Sequence, residues 1–359
     1  MSYTPDPMDR RLLNMVQADF PLAAQPYATL GERLKLSEED ILSRIRNLKK
    51  VSLIRNIGAI FDTRRLGYRT SLVAMRVDPS RLDEAAKVVN RHPGVSHNYE
   101  RSHAYNLWFT VATPPHQDID KVIARIGELA KAESVRPLPT LRLFKIGVKL
   151  DLEGESSEMI GAKREDGKTI FPDGKSPQAE TLSQQDIVII RILQADLPLE
   201  SRPFLKSAAS IGLTEETLLE TAEAYRQRGL LRRFAAVLYH RNAGFTANGM
   251  GVWKVPPEQI QEVGMAAAGF PQVSHCYERP TYPDWPYSLF TMVHTRTTEE
   301  CEKLMQEISE KIGVKEYAVL YSTKEYKKVR LKYFSEEFDA WEKEYMGDGV
   351  AEGNHPVLH

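Results

Sequence analysis

The sequence predicts an α+β chain in which one two-part unit, a winged helix-turn-helix followed by a βαββαβ domain, occurs twice in tandem. Three observations predict it. Gln17-Ala18-Asp19-Phe20-Pro21 returns as Gln194-Ala195-Asp196-Leu197-Pro198, and Val95-Ser96-His97-Asn98-Tyr99-Glu100-Arg101 returns as Val273-Ser274-His275-Cys276-Tyr277-Glu278-Arg279. The intervals agree to within one residue, since position 17 maps onto 194 and 97 onto 275. Fixed spacing between separate motifs marks a duplication. Within each half the apolar period begins as helical and changes to strand alternation. At 359 residues the chain is too long for one typical core and suits several small domains.

The elements follow in order. Leu12, Leu13, Val16 and Phe20 share one helical face, and Pro21 and Pro26 bracket a loop. Tyr27 to Leu34 is a second helix. Ser37-Glu38-Glu39-Asp40 is an N-cap with acids in the first turn of a third, whose buried stripe is Ile41, Ile45 and Leu48. Three helices in that order outline a helix-turn-helix, and Leu53 to Phe61 is the strand of its wing. Alternation from Leu72 to Val77 marks a strand and Ser80 to Asn90 a helix. Val95 to Arg101 and Asn106 to Ala112 are strands, Asp118 to Ala130 is a helix, and Arg142 to Leu150 is the final strand. That order is ferredoxin-like. The second half repeats it through helices Ile187 to Leu193, Phe204 to Ser210 and Thr214 to Gln227, then the wing Leu230 to Leu238. Gly249 to Val255, Pro257 to Gly269, Val273 to Arg279, Tyr287 to Val293, Thr298 to Ile312 and a final strand Lys327 to Phe334 complete it. The expected domains are 8–66, 67–151, 183–243 and 244–345. A Gly-, Ser- and Pro-rich linker spans 152–182 and a flexible tail 346–359.

Bulk composition excludes several classes. Lys and Arg number 48 against 49 Asp and Glu, a net charge of -1, which is not the profile of a dedicated nucleic-acid binder. Two cysteines, Cys276 and Cys301, make no zinc or disulfide framework. No apolar run suits a signal peptide or a membrane span, so a cytoplasmic protein in a reducing compartment is expected.

Winged helix-turn-helix followed by a ferredoxin-like domain resembles the Lrp/AsnC transcription regulators. The motifs resemble more closely the siroheme decarboxylases, an enzymatic offshoot of those regulators, with both subunits joined in one chain. In the first copy the likeness rests on Gln17 to Pro21, His97 to Arg101, Asn106-Leu107-Trp108-Phe109 and Pro139 to Val148. In the second it rests on Arg232 to Arg241, Val273 to Arg279 and Tyr321 to Lys328. It implies removal of the carboxyl groups from the C12 and C18 acetate side chains of siroheme, giving didecarboxysiroheme for an alternative haem or haem d1 pathway. It implies no cofactor beyond the iron tetrapyrrole substrate, whose macrocycle is the electron sink. Siroheme and didecarboxysiroheme are the expected ligands, with no membrane partner. A homodimer or higher oligomer of the fused chain stays open.

Such a polycarboxylate needs fixed cations, and Arg clamps carboxylates bidentately. The candidates are Arg55, Arg64 and Arg65 in one copy and Arg232, Arg233 and Arg241 in the other. The final strands add Arg142, Lys145, Lys324, Lys327 and Lys328. Solvated surface charge is the plain alternative for each, but Arg55 matches Arg232, Arg64 matches Arg241 and Lys145 matches Lys327. Carbon dioxide loss leaves a carbanion that needs a proton, and His suits that task. Alternation puts His97, Tyr99 and Arg101 on one strand face, and His275, Tyr277 and Arg279 repeat it. A sheet-face His bonded to its neighbours is the bland reading. His240, opposite Thr63 in the other copy, either donates the proton, ligates the siroheme iron, or is an exposed wing residue. His103 is expected at the surface. Trp108, Phe109, Tyr287 and Phe290 are expected in the core, and Cys276 as a plain buried thiol. The rivals are a DNA-binding regulator and a non-catalytic tetrapyrrole sensor. Glu215, Glu216, Glu220 and Glu223 on the second recognition helix oppose phosphate, so DNA binding is not expected.

Overall fold

The computed structural model describes residues 3–146, 149–150, 159–160, 178–238 and 247–347. The first copy contains α1 (Pro7–Ala18), α2 (Pro26–Leu34), α3 (Glu38–Lys50), β1 (Ile54–Phe61), β2 (Arg69–Arg76), α4 (Leu82–Arg91), β3 (Val95–Arg101), β4 (Leu107–Thr113), α5 (Ile119–Leu129), β5 (Ser134–Leu138) and β6 (Arg142–Ile146). Two short strands, β7 (Lys149–Leu150) and β8 (Met159–Ile160), pair with each other. The second copy contains α6 (Gln184–Leu193), α7 (Leu205–Ala209), α8 (Glu215–Gln227), β9 (Leu231–Leu238), β10 (Ala247–Trp253), α9 (Ile260–Ala268), β11 (Val273–Glu278), β12 (Leu289–Thr295), α10 (Thr298–Ile312), β13 (Tyr317–Lys328) and α11 (Glu337–Tyr345). The chain therefore has the α+β class and the tandem order read from the sequence. Contacts gather the described residues into two units, 3–67 with 178–238, and 68–146 with 247–347.

The first unit joins the two helix-turn-helix segments. α3 starts at a reciprocal capping box between Ser37 and Asp40, with three acids in its first turn and Lys49 and Lys50 in its last, matching the helix dipole. Leu12, Leu13, Val16 and Phe20 are all buried, as their spacing requires. The wing differs from expectation in its partner. β1 pairs antiparallel with β9, so each copy supplies one strand of a shared ribbon centred near Gly58 and Ala235. The repeated Gln-Ala-Asp-x-Pro string locks that ribbon. Phe20 N donates to Phe234 O at 2.8 Å, and Leu197 N donates to Ile57 O at 2.8 Å. Asp196 accepts from Ile57 N at 2.9 Å and from Lys49 Nζ at 2.7 Å. Gly58 lets the ribbon close on the second copy, because a Cβ there would stand 2.6 Å from Ala195 O.

The second unit joins the two ferredoxin-like halves in one sheet of nine strands, ordered β5-β2-β4-β3-β13-β10-β12-β11-β6. This corrects both expected final strands. The fourth strand of the first half is β5, paired with β2, whereas β6 crosses over and pairs with β11. In the second half one strand does both jobs: Tyr317–Tyr321 pairs with β10, and Ser322–Lys328 pairs with β3. The two ends of the strand order, β5 and β6, are linked in sequence through Pro139, so the exchange of strands is reciprocal. The helix-covered faces hold separate cores, around Val73, Phe109 and Ile123 in one half and Trp253, Val293 and Ile308 in the other. The opposite faces share one core containing Trp108, Leu138, Val252, Trp285, Phe290 and Leu320. Trp108, Phe109 and Phe290 are buried, and Tyr287 packs against that shared core.

Candidate functional site

The repeated Val-Ser-His string carries a register shift in both halves, between Val95 and His97 and between Val273 and His275. A β-bulge of this kind re-aims a side chain at the end of a strand. Beyond it alternation resumes. Asn98 turns to the helix side, where Nδ2 donates to Ala86 O and to Asn90 Oδ1 at 3.0 Å. Cys276 does the same in the second half, with Sγ 3.6 Å from Gly264 O, and burial pushes its thiol up. His97, Tyr99 and Arg101 share the other side, as do His275, Tyr277 and Arg279. The rings of His97 and Tyr99 lie 6.2 Å apart, those of His275 and Tyr277 6.0 Å. The Arg101 guanidinium lies 5.8 Å from the Tyr99 centroid, and that of Arg279 4.9 Å from Tyr277.

In each trio the imidazole and phenol are half-buried and the guanidinium is buried. Ser96 Oγ is 2.9 Å from His97 Nδ1, and Ser274 Oγ is 2.8 Å from His275 Nδ1. A hydroxyl donating to Nδ1 leaves the proton of a neutral ring on Nε2. His275 is lowered to about 4, chiefly by burial, then by His294, Arg279 and His97 nearby, so it is neutral at pH 7. Burial raises Tyr99 to about 12, helped by Glu325 across the strand pair. Arg101 and Arg279 are each lowered to about 10 by burial. Arg101 Nη1 donates to Leu320 O at 2.9 Å, and Arg279 Nη1 donates to Leu138 O. They brace the crossing strands rather than presenting their charge at an open surface.

The other sequence candidates fall in different places. Lys145 and Lys327, expected as carboxylate clamps, cap helix ends instead. Lys145 Nζ donates to Phe270 O at 2.7 Å beyond α9, and Lys327 Nζ to Asn90 O at 2.8 Å in the last turn of α4 and to His92 O at 3.3 Å just after it. Arg142 pairs with Glu278 at 3.2 Å and Lys324 with Asp83 at 2.6 Å. Lys328 is the strand partner of His97. His103 is half-buried rather than superficial. Its Nδ1 accepts from Tyr105 N at 3.0 Å, its ring stands edge-on to Trp285 at 5.3 Å, and burial lowers its pKa.

In the helix-turn-helix unit, the ribbon register places Ile54 opposite Leu238 and Ile60 opposite Arg233. Arg55 is therefore at one end of the ribbon and Arg232 and Arg233 at the other, about 20 Å away at strand rise. Arg64 and Arg65 follow β1 at the Arg233 end, where Asp62 N donates to Leu230 O at 2.8 Å. Arg65 and Arg228 both pair with Glu180. Arg233 reaches solvent, yet surrounding protein and the adjacent Arg232 lower its pKa. His240 and Arg241 lie outside the described residues.

Two features escaped the sequence reading. His294 on β12 has its Nε2 2.9 Å from Ser274 Oγ. The pairings of Val95 with Val111 and of Val273 with Val293 put Ala112 at its position in the first half. That asymmetry, the same kind as His240 against Thr63, was its available signal. The second is His116, whose Nε2 is 3.3 Å from Asp339 and 3.9 Å from Glu342 on α11. Among the described residues this is the one group of His and carboxylates close enough to hold a metal ion.

Comparison with known proteins places these parts. The family profile of the AsnC-like ligand binding domain matches residues 65–145 and 242–327. That of the siroheme decarboxylase NirDL-like HTH domain matches 9–55 and 186–232. A siroheme decarboxylase of Hydrogenobacter thermophilus is 43% identical over 94% of this chain and 98% of its own. The beta subunit of a siroheme decarboxylase of Methanosarcina barkeri is 44% identical over 42% of this chain and 99% of its own. A crystal structure of the siroheme decarboxylase NirDL in complex with an iron-uroporphyrin III analogue superposes with a TM-score of 0.75 at 37% identity, covering 94% of this chain and 98% of that one.

Proposed function

The chain belongs to the siroheme decarboxylase family, and from that premise we propose that it removes the carboxyl groups of the C12 and C18 acetates of siroheme, giving didecarboxysiroheme. The observation that carries the reading is likeness along nearly the whole of both chains, joined to a solved relative holding an iron porphyrin. No other cofactor is invoked. When the acetate C–C bond breaks, its electron pair stays on the methylene carbon and delocalises into the macrocycle.

The chain's own groups would then do two things. Arg55 at one end of the ribbon, and Arg64, Arg232 and Arg233 at the other, hold carboxylates. An imidazole delivers the proton to the methylene carbon, and His275 and His97 are the described candidates, with His240 and Arg241 as sequence candidates. Burial keeps His275 neutral at pH 7, so its Nε2–H leaves only as Nδ1 takes up another proton. A DNA-reading role is disfavoured by Glu216 and Glu220, both exposed on α8. Among the described residues no helix is long and apolar enough to cross a membrane.

Anaerobic incubation with siroheme and mass spectrometry of the tetrapyrrole tests the proposal. Successive loss of one and two carbon dioxide units is expected. Binding with unchanged mass would make the chain a tetrapyrrole sensor. Substituting His240 or Arg241 by Ala is expected to slow the loss more than Thr63→Ala, and equal, negligible effects would remove that pair from the site.

A further inference from the structure

We propose, resting on the decarboxylase reading and deepening it, that His294 acts through Ser274 to reprotonate His275, a relay that the first histidine face, with Ala112 at the place of His294, does not repeat. Ser274 Oγ lies between two imidazoles, 2.8 Å from His275 Nδ1 and 2.9 Å from His294 Nε2, and its one proton can be donated either to His275 Nδ1 or to Met292 O at 3.1 Å. A hydroxyl has one proton to give, so at least one imidazole nitrogen must donate to it. With His294 Nε2–H donating to Oγ and Oγ–H donating to Nδ1 of His275, the three groups form a continuous chain. The bulge between Val273 and His275 is what brings Ser274 and His275 together at this point.

The far end of the chain opens outward. His294 lines a cavity of about 370 Å³ open to solvent, with Gln272, Arg296, Glu300, Lys303 and Glu307. The carboxylates Glu300 and Glu307 and the cations Arg296 and Lys303 line the same cavity, with Glu300 accepting from Arg296 N at 2.9 Å. His275 is faced by His294, Arg279 and His97. The first half begins the same way, with Ser96 Oγ 2.9 Å from His97 Nδ1, but Ala112 stands at the place of His294.

The step balances. Carbon dioxide leaves and the bonding pair remains on the acetate methylene. His275 Nε2–H gives its proton to that carbon, which becomes a methyl group. His275 Nδ1 takes the Ser274 proton, Ser274 takes the one on His294 Nε2, and His294 Nδ1 takes one from solvent. The net reaction consumes one solvent proton per carboxylate lost.

Steady-state kinetics of His294→Ala with siroheme, with and without added imidazole and across acidic to neutral pH, test this. Alanine already occupies the equivalent position in the first half, so the fold has a precedent for it. The expected result is a kcat lower by about a hundredfold, a general-acid contribution, with KM unchanged and recovery on adding imidazole, which the cavity can admit. His294→Gln keeps a donor to Ser274 but cannot pass a proton, and is expected to lose kcat equally. Ser274→Ala is expected to lose kcat without imidazole rescue, because the break is then inside the chain. Wild-type kcat and pH profile in His294→Ala or His294→Gln, or a loss that imidazole does not restore in His294→Ala, overturns the relay. If the wild-type chain itself leaves siroheme intact, the decarboxylase reading has failed and the relay falls with it. An active wild type with an indifferent His294 removes the relay alone.

Discussion

His92 is a buried imidazole that the chemistry does not use. Its Nδ1 accepts from Gly94 N at 3.0 Å, and its ring meets Trp341 edge-on at 4.5 Å and Phe338 at 5.8 Å. Burial, and then the nearby Lys327 ammonium, lower it to about 3. The unfolded chain would take up a proton near pH 6.5, its ordinary value, while the folded protein resists until about pH 3. The stabilisation by neutral His92 is thus complete above pH 6.5 and is lost as pH falls toward 3. The second half carries Phe270 at the same place, so His92→Phe supplies a non-titrating ring of precedent. Melting temperatures measured from neutral to acid pH are expected to fall less steeply in that variant, and an unchanged acid slope contradicts the assignment. His275, lowered to about 4, acts in the same direction, so the two contributions are separated by the double variant with His275→Ala.

At the scale of elements, close approach decides which residues are tolerated. α9 meets β6 at Gly264, where a Cβ would stand 2.4 to 2.6 Å from three ring carbons of Phe144. Gly264→Ala is expected to cost about 1–3 kcal/mol by overpacking, measured by denaturant unfolding, although alanine is the better helix former. Asp196→Ala breaks the bonds to Lys49 and Ile57 and is expected to cost about 1–2 kcal/mol, toward the low end because the carboxylate is half-exposed. An unchanged midpoint would mean the ribbon does not depend on that string. These elements also mark what a sequence discloses. Helices with capped starts and apolar stripes, such as α3 and α10, were legible because their signals are local. Strands β5 and β13 were misplaced because their partners are remote: the last part of β13 pairs with β3, and no local pattern names that partner. α11 was missed because its buried residues, Phe338 and Trp341, are too few to declare a period. The His–Tyr–Arg trios were legible from alternation and repetition. The bracing role of Arg101 and Arg279 was not, since a buried arginine and a clamping arginine are the same letter. The helix-end contacts of Lys145 and Lys327 were not legible either, because a lysine capping a helix matches between copies as well as one binding substrate.

For the whole molecule, the fused halves are bound by structure as well as by sequence. β6 of the first half completes the second, and β13 of the second completes the first. Proteolytic cleavage within residues 161–177 is therefore expected to leave the two fragments associated in size-exclusion chromatography, with siroheme turnover retained. Separation of the fragments under native conditions contradicts the strand exchange as the joint. The duplication supplies two copies of a Ser–His–Tyr–Arg face, and divergence leaves His294 beside one of them and Ala112 beside the other. The most direct test of the account is anaerobic turnover of siroheme in D2O with high-resolution mass spectrometry of the product. The account predicts didecarboxysiroheme carrying one deuterium in each of the two new methyl groups. Siroheme recovered with its mass unchanged would contradict it.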